Sequence, residues 1–91
     1  MPYALAFGER PVRQLRELDV WLQEEVLDEL EVLASTPQRL VFRAISPGAV
    51  HDFTRRGPAG THYLFLTVER DDQREVIEVL DIGHHFRPTE Q

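Results

Sequence analysis

Apolar residues recur at helical spacing in one long stretch of this chain and alternate with polar residues in others. From Val20 to Ser35, Leu22, Val26, Leu30 and Leu33 fall on one face, widened by Leu27. The opposite face is almost purely Glu and Asp. This predicts an amphipathic helix whose apolar stripe must cover another element. Asp19 stands where a carboxylate caps such a helix, and Thr36-Pro37 ends it. Within Glu9 to Leu18, Val12, Leu15 and Leu18 recur at three-residue steps, with Arg13 and Arg16 on the other side. That predicts a second, shorter helix. Pro11 suits its first turn, where a missing N–H costs little. The two form either an antiparallel hairpin or one bent helix.

Tyr3 to Phe7 reads as a short strand ending at Gly8. After Pro37 the periodicity changes. Leu40-Val41-Phe42 is β-prone, Ser46-Pro47-Gly48 is a turn, Val50 to Thr54 is a strand and Arg55 to Gly60 is a loop. Thr61 to Val68 is the most strand-like segment, rich in aromatic and β-branched residues. Glu69 to Arg74 is a charged connection of hairpin length. Glu75 to Ile82 is the last strand, closed by Gly83 and followed by the tail His84-His85-Phe86-Arg87-Pro88. The order β-α-α-β-β-β predicts an α+β fold in one domain over residues 1–91. An antiparallel sheet is joined by the first strand, and a helical hairpin packs on one face.

Length and composition narrow the function. Ninety-one residues, 42% hydrophobic and 29% charged, hold one modest core. They exclude a solenoid array or a full dinucleotide-binding fold. Without cysteine there is no disulfide, no thiolate zinc site and no cysteine nucleophile. No apolar run approaches the roughly 20 residues that span a bilayer. The N-terminus shows no basic region ahead of a long apolar stretch. A cytoplasmic protein without membrane association is expected. His84 and His85 are adjacent and would point to opposite sides of a strand. No spacing of histidines and acids matches a two-ligand metal motif, so neither metal nor cofactor is expected.

The net charge is −6, from 16 acidic and 10 basic residues, and every basic residue is Arg. This acidity argues against indiscriminate nucleic-acid binding. Its distribution changes the picture. Leu18 to Pro37 holds six acids and no base, whereas Gln38 to Val68 holds Arg39, Arg43, Arg55 and Arg56 against Asp52 alone. An acidic helix beside a cationic segment fits either a local anion site or two solvated faces of opposite sign.

The element order and four phrases together resemble the RelE/ParE superfamily of bacterial toxin–antitoxin systems. The phrases are the opening strand Tyr3-Ala4-Leu5-Ala6-Phe7 and the helix Leu15-Arg16-Glu17-Leu18 leading into Leu22 to Leu33. The hairpin Val50-His51-Asp52-Phe53 … Gly60 to Val68 follows, and then the closing Val79-Leu80-Asp81-Ile82-Gly83-His84-His85. The resemblance implies one of two activities. RelE-like members cut messenger RNA in the ribosomal decoding site, and ParE-like members poison DNA gyrase by binding. It also implies a cognate antitoxin. A protein of this fold that has lost toxicity and persists as a binding module is the third reading. On the ParE-like reading, the long acidic helix is a candidate contact surface or the outward face of a homodimer.

Many nuclease members carry arginine where this chain has Tyr63 and His85. RNA cleavage by 2′-OH attack needs a base, an acid and donors for the phosphate oxygens. Histidine suits both proton roles. The expected catalytic group is therefore His85, Tyr63, His62 and Asp52. The expected substrate-binding group is Arg55, Arg56, Arg87 and His51, with the arginines forming charge-assisted bonds to phosphate. Tyr63 would hydrogen-bond the phosphate or stack on a base. Ordinary roles are equally open. His62 alternates with Leu64 and Leu66 and would then be a core histidine. Tyr63 would simply pack, Arg55 and Arg56 would be a solvated pair, and Asp52 would cap a turn or pair with an arginine.

Overall fold

The computed structural model describes residues 2–39 and 48–90. Four strands form one sheet: β1 (Ala4–Phe7), β2 (Gly48–Gly57), β3 (Gly60–Asp71) and β4 (Val76–Pro88). The spatial order is β1-β4-β3-β2. β2, β3 and β4 form the expected antiparallel meander. β1 departs from it and pairs parallel to β4, so the sheet is mixed. A parallel pair needs a long crossover, and the helices, β2 and β3 all lie between these two strands. Leu40-Val41-Phe42, Arg43 and Ser46-Pro47 lie outside the described residues.

Helices α1 (Glu9–Glu17) and α2 (Val20–Ser35) are separate, broken by Leu18 and Asp19 in extended conformations. Asp19 is the N-cap residue of α2, but its carboxylate makes no capping hydrogen bond. The corner is held instead by Gln23, whose Nε2 donates to the Leu18 carbonyl at 2.8 Å. Leu22, Val26, Leu30 and Leu33 pack against Leu64, Leu66 and Val68 of β3 and Ile77, Val79 and Ile82 of β4. All are almost fully buried, and each such side chain contributes roughly 1.5–3 kcal/mol of transfer free energy. Leu27 is not part of this stripe: it is 38% exposed on the outer side.

β2 and β3 extend past the sequence boundaries. Arg55, Arg56 and Gly57 belong to β2, and only Pro58 and Ala59 turn the chain. Gly60 follows with φ +157°, and a Cβ there would collide with the Arg87 carbonyl. β4 also runs on, through Gly83 to Pro88, because its residues keep pairing with β3 down to Gly60↔Pro88. At Gly83 an added Cβ would stand 3.4 Å from the Cβ of Phe65, so the glycine leaves room for that ring.

One irregularity sets the faces of β4. Val68 pairs with Val79 but Thr67 pairs with Asp81, leaving Leu80 as the extra residue of a bulge. Side chains therefore change parity across Leu80, and Ile77, Val79 and Ile82 are all buried. α1 docks at this bulge. Gln14 Oε1 accepts from the Ile82 N–H at 2.7 Å, and Gln14 Nε2 donates to Asp81 at 2.8 Å. The interrupted ladder thus keeps its backbone donor paired.

Candidate functional site

Strand alternation gives the sheet two faces. On β3, His62, Leu64, Leu66 and Val68 point toward the helices, and Thr61, Tyr63, Phe65 and Thr67 point away. The outward face is open among the described residues: Val50 is 65% exposed and Phe65 41%. Tyr63 lies directly across from His85 in the β3–β4 ladder, with ring centroids 6.1 Å apart and tilted by 41°. Thr61 is flanked by Arg56 on β2 and Arg87 on β4. A cavity of about 500 Å³ lies between them, lined by Arg56, Thr61, Tyr63 and Arg87 with the tail residues Pro88 to Glu90. A second hollow of about 430 Å³ is lined by Tyr63, Phe65, His85 and Arg87. Among the described residues, no ion pair consumes Arg56 or Arg87. Asp52 shares this face but pairs with Phe65, so Phe65 and a full strand stand between it and His85.

The other sequence candidates lie on the helix side. Arg55 pairs with Glu25 at 3.0 Å and Glu29 at 3.3 Å, and lies over the Phe53 ring. His51 Nε2 lies 2.7 Å from Glu29. Together they tie β2 to α2. His62 is 9% exposed. Its Nδ1 meets His84 Nε2 at 2.9 Å, and its ring touches Trp21 and Phe86. His51, Arg55 and His62 are therefore separated by the sheet from Tyr63, His85, Arg56 and Arg87. Of the last pair of histidines, only His85 faces the open side. Burial, reinforced by His62, holds the pKa of His84 below the usual imidazole value.

No family model matches this sequence, and no curated protein matches it. Solved structures do. The chain is similar to one in the intact E. coli RelBE toxin–antitoxin complex, with a TM-score of 0.65 and 20% identity over 93% of this chain and 99% of that one. It is similar to a chain of the RelBE2 toxin–antitoxin complex of Mycobacterium tuberculosis, at 0.69 and 22% over 93% of each. A mutant of the E. coli toxin RelE in its free state aligns at 0.68 and 21%, over 91% and 83%. This chain has the RelE fold. In this RelE-like arrangement the open face is built by the three strands of the meander, so each functional group sits on regular backbone.

Phe65, like Thr61, is a residue of the open face that the sequence alone did not single out. Its signal was present: it has the opposite parity to Leu64 and Leu66 on one strand. Gly83 across the ladder, which accommodates the ring, was read only as a strand end. Among the described residues, no cluster of three or more metal-ligating side chains occurs, and no helix is long and apolar enough to cross a membrane.

Proposed function

We propose that this chain is the toxin of a toxin–antitoxin pair and that it cleaves RNA on its open sheet face. The observation that carries the reading is the opposition of Tyr63 and His85 beside two arginines that no ion pair consumes among the described residues. In 2′-OH attack, the bond from 2′-oxygen to phosphorus forms as the bond to the 5′-oxygen breaks. The 2′-OH gives up a proton and the departing oxygen takes one. His85 is the group suited to move a proton there. Arg56 and Arg87 would neutralise the charge gathering on the phosphate oxygens. Tyr63 and Phe65 offer rings for stacking on unpaired bases. His62, His51 and Arg55 have no direct part in this reading, and Asp52 borders the group across Phe65. An antitoxin would act by covering this face.

Controlled induction of the chain alone in a bacterial host tests the reading. Labelled amino acid and labelled thymidine are followed together with message integrity. The expected result is a prompt fall in translation with cleaved messages. A fall in DNA synthesis with translation initially intact would replace the nuclease reading with gyrase poisoning. No effect on either would leave a binding module of this fold.

A further inference from the structure

On the helix side of the sheet, away from the open face, lies a cavity of about 330 Å³. Trp21, His62, His84 and Phe86 line it, together with Asp19 and the Pro58-Ala59 turn. His62 is the hub. Trp21 meets it edge-on at 5.2 Å, Phe86 at 4.7 Å, and His84 lies nearly coplanar with it. Gly57 lets Trp21 and His62 close in, since a Cβ there would stand 3.1 Å from the indole and 3.3 Å from the imidazole.

Three properties of this cup select a cation. Its walls are aromatic, and ring faces attract a cation, a planar guanidinium most of all. Asp19 supplies a carboxylate that neither caps α2 nor forms an ion pair among the described residues. Its histidines share one hydrogen bond, and burial and His62 bias His84 toward its neutral form against the opposing pull of Asp19. The surface leading away from the cup is also acidic. Glu24, Asp28 and Glu31 follow at helical spacing on α2, all exposed, beside the exposed Val20 and Leu27. No basic residue lies on this helix.

We propose that the Trp21–His84–Phe86 cup binds an arginine side chain of a partner protein whose basic segment runs along the outer face of α2. This assignment stands apart from the nuclease reading, because it uses the other side of the sheet.

Trp21 is the chain's single tryptophan, so its fluorescence reports on the cup directly. The probe is the capped peptide acetyl-AARAAARAAARA-amide, titrated into the full chain at low salt. A peptide with glutamine at each arginine serves as the control. The expected result is a saturable change in Trp21 emission with the arginine peptide and none with the glutamine peptide. Asp19→Asn and Phe86→Leu should each weaken binding at least fivefold while the thermal midpoint stays within a few degrees. Glu24→Gln should weaken it less than Asp19→Asn. An equal response to the glutamine peptide would overturn the proposal, as would unchanged affinity in Asp19→Asn. No saturation up to millimolar peptide would overturn it too.

Discussion

Arg55 and Arg56 are adjacent in the chain and meet opposite chemistry. Arg55 turns toward α2, where Glu25 and Glu29 neutralise it and Phe53 supports its guanidinium. Arg56 turns to the open face and faces the cavity it shares with Arg87 and Tyr63. The same split divides His62 from Tyr63, Leu64 from Phe65 and His84 from His85. One face uses its polar groups to hold the sheet to a helix. The other keeps them available. Charge therefore says little about role in this chain until its face is known. Of the arginines in the basic segment, Arg55 is a structural tie and Arg56 part of the candidate site.

Mutating neighbours one at a time should break this comparison most clearly. The largest effect is expected for Leu64→Ala, which removes a fully buried side chain. It should cost about 3 kcal/mol in chemical denaturation, whereas Phe65→Ala, on the exposed side, should cost under about 1 kcal/mol. Comparable losses from both would mean that the open face is part of the core.

His85→Ala comes next. It should lower message cleavage by about 100-fold or more, the usual scale of general acid–base catalysis, with the melting temperature retained. Cleavage at the parent rate would remove His85 from the proposed chemistry. The arginine pair sharpens the contrast further. Arg55→Gln should destabilise by about 1 kcal/mol, because Glu25 loses the guanidinium it pairs with and Glu29 is left with His51 alone. Arg56→Gln should leave stability within about 0.5 kcal/mol while weakening binding to a single-stranded RNA oligonucleotide.

The smallest effect is a pH dependence. Burial and His62 depress the pKa of His84 in the folded chain. Between the folded and unfolded values, the unfolded chain binds more protons, so stability rises with pH there. Acidification from pH 7 through about 6.5 and below the folded value should therefore lower the melting temperature. His84→Gln should flatten that slope, and a slope unchanged by the substitution would place its origin elsewhere.

Much of the fold was legible because its signals are local. The stripe Leu22, Val26, Leu30, Leu33 and the alternation of Leu64, Leu66 and Val68 both mark core faces, and the resemblance to the RelE/ParE group rested on their order. The strand ends were harder. Gly57, Gly60 and Gly83 read as breaks, yet each lies within a ladder, where close approach of another group favours the absence of a side chain. The site was only partly legible. The residue types were present in sequence, but their grouping depends on parity. His62 announced its parity through Leu64 and Leu66. His85 did not, because Leu80 interrupts the count. The direction of β1 was likewise hidden, since its partner lies some seventy residues away.

The bulge at Leu80 thus works as a reading-frame setting for the end of β4. Beyond it the strand is a two-sided tape, with His84 and Phe86 printed on one side and His85 and Arg87 on the other. Removing Leu80 would take out only the residue that opposes nothing: with every other pair kept, His84 and Phe86 would stay opposite Leu64 and His62, and His85 and Arg87 opposite Tyr63 and Thr61. Drawing Leu80 into the ladder opposite Thr67 instead would slip the end of β4 by one residue, so that the cup received the groups meant for the open face, and the open face those meant for the cup. A chain of this fold can change what its sheet presents without changing a single functional residue, merely by closing one bulge upstream of them.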